Sequence, residues 1–268
     1  MRRYNHRINE RARLETWERE RQAAGEGIYA AALIPGKDGG LGLENARLLV
    51  LADLYRRLAV KNTGNPALGY WGDLRLDARE EARQLGLLLT PEAEAVPTLC
   101  VEARDYAYLS RSRPRAKTLV CGRLFGTEGL SITFLLPDFG ADAIRIALLF
   151  QGPPQKDLRF NPELLGGAFR FVQRLWRLGQ TAAPGREEGI KELRAEATQR
   201  LEGGKPHTAL AALMGFASKL HQPTTSTVTG LAGLVAPFAP FVAGTLLDSL
   251  AIAPFQDDQG WNNGRADG

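Results

Sequence analysis

The chain has 268 residues, 44% apolar and 24% charged, a balance that supplies a core and excludes a disordered tail protein. Against 34 Lys and Arg stand 30 Asp and Glu, leaving a net charge of +4; such mild basicity permits an RNA partner through phosphate contacts and equally suits an ordinary soluble surface. Two cysteines, Cys100 and Cys121, and three scattered histidines, His6, His207 and His221, form neither Cys-x-x-Cys nor a helical His pair, so no zinc knuckle, disulfide framework or other metal site is expected.

The length fits one large domain or two small ones. Residues 3–22 predict a helix with a sparse apolar stripe of Ile8, Leu14 and Trp17. This Arg- and Glu-rich start has no secretory apolar core, which points to the cytoplasm. Residues 28–34 read as a buried strand ending at Pro35. A Gly-rich loop follows, then a helix from Glu44 to about Leu58. Strand, Gly-rich loop and helix begin a Rossmann-like unit, whose helix N-terminus can hold an anion. The Lys-Ser/Thr ending of a P-loop is absent. A second short strand lies within 65–73; at its end Asp73 is either a site carboxylate or a cap for the charged helix over 76–87.

Residues 90–96 form a short loop. Leu99-Cys100-Val101-Glu102 follows it, with Glu102 either an N-terminal helix charge or a pocket carboxylate. Arg104, Arg111, Arg113, Arg115 and Lys117 then interleave with Tyr106 and Tyr108, a mixture that suits phosphate and base-stacking contacts and equally suits a surface segment. Further on, an apolar run ends at Gly152-Pro153-Pro154, and Asn161-Pro162-Glu163 restarts a helix with a cap, a first-position proline and an acid suited to the dipole. Helices are predicted onward from there, one with Phe169, Phe171, Val172, Leu175, Trp176 and Leu178 opposite Arg170, Arg174 and Arg177, and one over 190–201 after a linker. The apolar segment 228–250, interrupted by Pro237 and Pro240, reads as a buried helix rather than a membrane span. The tail from Gln256 is polar and frayed.

Residue identities carry more than periodicity. Phe139-Gly140-Ala141-Asp142, then Arg145, and Pro153-Pro154-Gln155-Lys156-Asp157-Leu158 followed by Phe160 resemble the junction in bacterial leucyl-tRNA synthetases where the catalytic half passes to the helical tRNA-binding half. Tyr4-Asn5 with Trp17, the run 166–178, Thr208 to Phe216, and Val235-Ala236-Pro237-Phe238-Ala239-Pro240-Phe241 are similar to the same family, with Phe241 where it has histidine. Ala46-Arg47 and Asp53 match the helix that follows the class I His-x-Gly-His signature, but the signature itself falls on Gly42-Leu43-Glu44-Asn45. The Lys-Met-Ser-Lys-Ser loop falls near Cys121-Gly122-Arg123-Leu124-Phe125, with Arg123 its only basic residue. The segment ending Trp71-Gly72-Asp73 resembles Pro-x-Gly-Trp-Asp, and Val101-Glu102 resembles Gly-Val-Glu-His with Ala103 in place of histidine. The loop 90–96 leaves no room for the family's inserted editing domain.

The resemblance implies an α/β fold: a reduced Rossmann-like parallel sheet domain over 1–145, then an all-α anticodon-binding-like helical bundle over 146–255 and a flexible tail over 256–268, the whole a truncated paralogue. It implies tRNA or aminoacyl-tRNA as partner, an amine acceptor substrate or a protein partner beside it, and no membrane. With both triphosphate signatures gone, no cofactor is expected, ATP included. Three functions follow: ATP-independent aminoacyl transfer, as in cyclodipeptide synthases that look like class I synthetases without the ATP signatures; a non-catalytic tRNA- or protein-binding pseudo-synthetase; and an atypical ATP-dependent ligase, disfavoured because Glu44 puts a negative charge where phosphates should lie. Candidate catalytic residues are Tyr70, Asp73, Glu102 and Tyr106. Candidate substrate contacts are Leu33, Pro35, Gly39, Gly40, Asn45 and Trp71. Candidate tRNA contacts are Arg111, Arg113, Arg115, Lys117, Arg123, Lys156, Arg174 and Arg177.

Overall fold

The computed structural model describes residues 3–19, 27–35, 40–63, 66–90, 96–110 and 117–250. Gly39, Arg111, Arg113, Arg115 and the tail lie outside the described residues.

Helix α1 (His6–Arg19) leads into β1 (Ile28–Ala32), α2 (Leu43–Thr63), β2 (Ala67–Trp71), α3 (Leu76–Gln84), β3 (Leu99–Ala103), a 3-10 helix (Arg104–Ser110) and β4 (Thr118–Cys121). The four strands are parallel, in the order β2-β1-β3-β4. Parallel strands are covered on both faces and therefore read as nearly continuous apolar runs, as Ile28-Tyr29-Ala30-Ala31-Ala32 does. Alternation along the strands sends Tyr29, Ala31, Leu68, Tyr70, Leu99 and Val101 into the main core, and sends Ala32, Trp71 and Cys100 into a small separate cluster. Chain order reverses at β1, so the crevice between the carboxyl ends of β1 and β3 is where such a sheet offers a site. Glu102 lies inside β3, not at a helix start: the chain stays extended through Ala103, which pairs with Cys121.

The rest of the described chain is mainly helical: β5 (Leu124–Phe125), α4 (Ile132–Phe139), α5 (Ala141–Phe150), β6 (Leu158–Arg159), α6 (Glu163–Thr181), α7 (Ile190–Glu202), α8 (Pro206–Lys219), α9 (Thr225–Val235) and α10 (Pro240–Ser249). At the restart after the double proline, the Asn161 side-chain oxygen accepts the Glu163 N–H at 3.0 Å. The single helix expected over 228–250 is two helices. Pro237 cannot donate to a helical ladder, and Pro240 is tolerated only in a first turn, so α9 ends at Val235 and α10 begins at Pro240. Among the described residues no helix is long and apolar enough to cross a membrane.

One continuous core runs through the sheet and the helices. Its centre is α5, buried from Ala141 to Leu149. The fully buried Arg145 donates to Asp53 at 2.8 Å and to the carbonyls of Leu85, Phe238 and Pro237 at 3.2, 3.2 and 3.3 Å. Asp53, on α2, is also held by Arg56 and Arg57, each at 2.7 Å. Burial alone would raise the Asp53 carboxyl, but Arg57, Arg56 and Arg145 outweigh it and hold it far below the usual carboxylate range.

Two further carboxylates cap helices inside the fold. Glu10 of α1 accepts the N–H groups of Ala141 and Asp142 at 2.8 and 3.3 Å, at the start of α5. Asp142 in turn accepts those of Phe241 and Val242 at 3.2 and 2.6 Å, at the start of α10. The approach is possible because Gly140 (φ 78°) has no side chain; a Cβ there would stand 2.9 Å from the Glu10 carboxylate and 2.7 Å from His6.

Truncating Asp53 leaves Arg145 buried without its counter-charge. Asp53→Ala is expected to lower the unfolding free energy by about 3–5 kcal/mol, read as a lower urea midpoint with an unchanged slope. Glu10 acts on pH dependence. Burial, and then the Asp142 charge, push its carboxyl up to about 8 against the two N–H groups that hold it down. The folded chain therefore keeps a proton that the unfolded chain releases, so this contribution is complete below about pH 4.3 and is lost as pH rises through the elevated value. Burial raises the neighbouring Asp142 carboxyl too, to about 6, so the two titrate as a pair: the thermal midpoint should decline between about pH 5 and about pH 8, and Glu10→Gln should flatten that decline; an unchanged slope in the variant would remove Glu10 as a source.

Candidate functional site

The first turn of α2 stands at the carboxyl end of β1. Its alignment is set by Asn45, whose side-chain oxygen accepts the Ile34 N–H at 2.8 Å and whose amide nitrogen donates to the Ile34 carbonyl at 2.9 Å. The side chain at the position of the second signature histidine thus ties helix to strand exit. A helix N-terminus of this kind attracts an anion, and here the chain supplies its own. The Glu44 carboxylate takes Arg123 Nε at 2.6 Å, Arg123 Nη2 at 3.0 Å and the Leu124 N–H at 2.9 Å. Arg123 also faces Asp105 at 3.6 Å and lies 5.1 Å from the ring centre of Tyr106 and 5.7 Å from that of Phe125. The hydrogen bonds to Glu44 raise the Arg123 pKa further above its ordinary value. The side chains of Glu44 and Arg123 are only 19% and 22% exposed, so solvent screens this fork weakly.

The segment that carries Arg123 is fastened along its length. Leu124 and Phe125 pair in parallel with Leu158 and Arg159. Gly122 N–H donates to the Pro154 carbonyl at 2.9 Å, Leu158 N–H to Arg123 at 2.9 Å and Phe160 N–H to Phe125 at 2.8 Å. Asp157 accepts the Arg123 N–H at 2.9 Å, and Arg104 reaches the Gln155 carbonyl at 2.5 Å. From beneath, the buried Arg47 points at the carbonyls of Gly122 and Pro154 at 3.4 and 3.5 Å. Only glycine fits at 122, because a Cβ would stand 2.2 Å from the Lys156 backbone. At the place where the Lys-Met-Ser-Lys-Ser loop falls, a short β-pairing stands.

The other sequence candidates are spread out. Tyr70 is buried in β2 and packs in the core, with the Arg79 guanidinium 5.7 Å from its ring. Glu102 is buried in β3 on the same face as Cys100. Asp73 is exposed and is not the cap of α3, whose N-cap position is Arg75 with no side-chain cap bond. Tyr106 is half-buried beside Arg123. Leu33 is buried, with its N–H on the Trp71 carbonyl at 2.8 Å, while Pro35 and Gly40 are exposed and Trp71 sits in the small cluster. Of the tRNA candidates, Lys156 and Arg177 are exposed. Arg174 is committed to the carbonyls of Ala217, Ser218 and Leu220 at the end of α8, at 2.6 to 2.9 Å. Lys117 lies before β4 and Arg123 after it, at opposite ends of the sheet. Cys121, pushed up to about 11 by burial, is a thiol and no nucleophile at neutral pH. Among the described residues no cluster of three or more His, Cys, Asp or Glu is placed to hold a metal.

Sequence reasoning recognised Glu44 and Arg123 separately and did not pair them; they are 79 residues apart. The available signal was their opposite charge at the two signature positions. It missed Arg47, Arg104, Gly122 and Asp157 as parts of the clamp, since each acts through or against backbone that only folding brings near.

The fold is thus an α/β protein with a small parallel sheet and an extensive helical half, and an internal ion pair, Glu44 with Arg123, stands at the first turn of α2. No protein-family model matches the chain. In sequence the chain is leucyl-tRNA-synthetase-like. The leucine–tRNA ligase of Synechococcus elongatus is 32% identical over 155 residues, covering 50% of this chain and 18% of the ligase. That of Nitrosospira multiformis is 24% identical over 248 residues, covering 81% and 27%. The chain therefore spans 18% to 27% of these relatives' length. Among solved structures, it is similar to an Agrobacterium radiobacter LeuRS in a ternary complex with tRNA and LeuAMS, at a TM-score of 0.49 and 17% identity, covering 60% of this chain and 28% of that one. A Mycobacterium tuberculosis methionyl-tRNA synthetase bound by methionyl-adenylate matches at a TM-score of 0.45 and 17% identity, covering 59% and 45%.

Breaking the fork should loosen the clamp. Glu44→Gln is expected to cost about 1–3 kcal/mol of stability and to speed amide exchange at Leu124, Leu158 and Phe160. Exchange at those three amides equal to that of the unaltered chain would show that β5 and β6 hold without it.

Proposed function

We propose that this protein is a synthetase-like tRNA-binding protein that does not activate an amino acid with ATP. One observation carries the reading: the Glu44–Arg123 fork across the first turn of α2. Adenylation needs a triphosphate close to that helix end. Paired with Glu44, Arg123 offers a phosphate no net positive charge at that end, and a phosphate that displaced the pair would stand against the Glu44 carboxylate at a repulsion of about 4 kcal/mol for ~4 Å and an effective dielectric of ~20, close to a thousandfold in affinity. Arg123, the basic residue at the second signature position, is already engaged by Glu44, and its segment is held in β-pairing with Leu158 and Arg159.

Support for tRNA as the ligand comes from the sequence similarity to leucine–tRNA ligases. Exposed Lys156 and Arg177 are the described cations from the candidate set left for phosphate contact once Arg123 and Arg174 are engaged and Lys117 is assigned to the far end of the sheet. Acyl transfer from an aminoacyl-tRNA is the second reading. It needs no triphosphate, so the closed helix end does not oppose it. Its base would come from Asp73 or Tyr106, the two catalytic candidates that are not buried.

Filter binding of bulk tRNA, aminoacylated and deacylated, tests both readings. Retention that falls with salt supports tRNA binding, and a preference for the aminoacylated pool supports transfer. Lys156→Ala with Arg177→Ala should weaken retention and reduce the log–log salt slope by about 1–2. Absence of retention at low salt overturns the tRNA reading. Amino-acid-dependent pyrophosphate exchange by the unaltered chain overturns the claim about ATP.

A further inference from the structure

A second concavity lies at the other end of the sheet, where β1, β3 and β4 begin. Those strand starts, one face of α2 and the end of α7 line an open-sided cavity of about 580 Å³, within the range of roughly 300–1,000 Å³ typical of small-molecule sites. Part of its wall is apolar, from Leu58, Leu99, Leu119 and Leu201. Its uncharged polar side chains include the hydroxyl-bearing Tyr29, Tyr55, Thr98 and Thr118. The charged residues among its described lining, Lys117 and Glu202, are both exposed and opposite in sign. Strand β4 separates this cavity from Arg123, so it shares no residue with the fork at the carboxyl end.

We propose that this cavity is a binding site for an uncharged, largely apolar aromatic molecule of one or two rings bearing a hydrogen-bonding group. An ion buried here would find no buried counter-charge among the described lining residues, and Lys117 and Glu202 at the solvent-exposed part oppose each other's preference. Leucine side chains supply apolar contact, and two tyrosines supply ring faces and edges that favour an aromatic partner. The tyrosines stay protonated at neutral pH: burial pushes Tyr55 up to about 12 and raises Tyr29 above its ordinary value. They are therefore hydroxyl donors and acceptors, not anions. The cavity is made jointly by strand starts and by residues 198 and 201–204 of α7 and its end, so an occupant touches both and should stabilise their packing.

The probe is indole, with indole-3-acetate as its charged counterpart, measured on the full chain by saturation-transfer NMR and by thermal shift. The expected result is saturable indole binding that raises the thermal midpoint, with indole-3-acetate about tenfold weaker or more. Leu119→Trp, at a half-buried lining position, fills the space and should abolish binding. Tyr55→Phe removes one hydroxyl and should weaken binding about 2- to 10-fold while leaving the unliganded midpoint nearly unchanged; it carries the test if the tryptophan variant does not fold. No saturable binding of indole, tighter binding of indole-3-acetate, or binding that Tyr55→Phe leaves unchanged would each overturn the proposal. The proposal does not depend on whether the protein binds tRNA.

Discussion

Everything in this molecule is positioned by one buried ion pair, Arg145 with Asp53. Both side chains are wholly removed from solvent. Arg145 touches α2 through Asp53, the exit of α3 through Leu85, and the turn between α9 and α10 through Pro237 and Phe238. A guanidinium presents its donors in a fixed plane, so satisfying four acceptors at once leaves little freedom in how those elements meet. Such a pair is a poor source of net stability, because both ions were drawn from water. Its effect is on arrangement: a relative shift of the sheet and the helices leaves a charge buried and unmatched. The extra guanidiniums of Arg56 and Arg57 keep Asp53 ionised, which the arrangement requires.

With α2 pinned at its middle, its first turn falls at the carboxyl end of β1, where a parallel sheet presents its crevice. The chain occupies that end itself. Glu44 answers the helix dipole, Arg123 answers Glu44, and β5 and β6 hold Arg123 in place. The polar groups at this end are largely satisfied from within: Asn45 by the Ile34 backbone, Glu44 by Arg123 and Leu124, Asp157 by the Arg123 N–H. A site built to grip an anionic cofactor keeps its cations available; here the Arg123 guanidinium is bonded to Glu44 of its own chain. The separation between this closed end and the open cavity at the strand starts divides the sheet into two chemically different poles.

How much of this was readable beforehand varies residue by residue. Asn161, Pro162 and Glu163 announced a helix start, and one begins there, at Glu163 after Pro162, with the Asn161 side chain on the Glu163 N–H, because such bonds are local and join neighbours two residues apart. The strands at 28–32 and 67–71 followed from short apolar runs between turn formers. The segment 228–250 was read as one helix because it is predominantly apolar, while Pro237 and Pro240 break it by removing donors from the helical ladder. Asn45 and Arg174 were read as ligand contacts from their type and place. Each instead bonds backbone carbonyls or amides, of Ile34 in one case and of the end of α8 in the other, and no pattern of residue types shows which backbone groups will come within 3 Å.

The sequence by itself determined the opening strand–loop–helix unit, the helical character of most of the second half and the similarity to leucine–tRNA ligases, because apolar periodicity, turn residues and motif spacing are written within a few residues of one another. Only the tertiary structure decided which charges remain available. Glu44 and Arg123 are 79 residues apart, and Asp53 and Arg145 are 92. Whether two such groups meet depends on strand register and helix packing, and in a low-dielectric interior that meeting is what separates a ligand-binding charge from one already neutralised by its own fold.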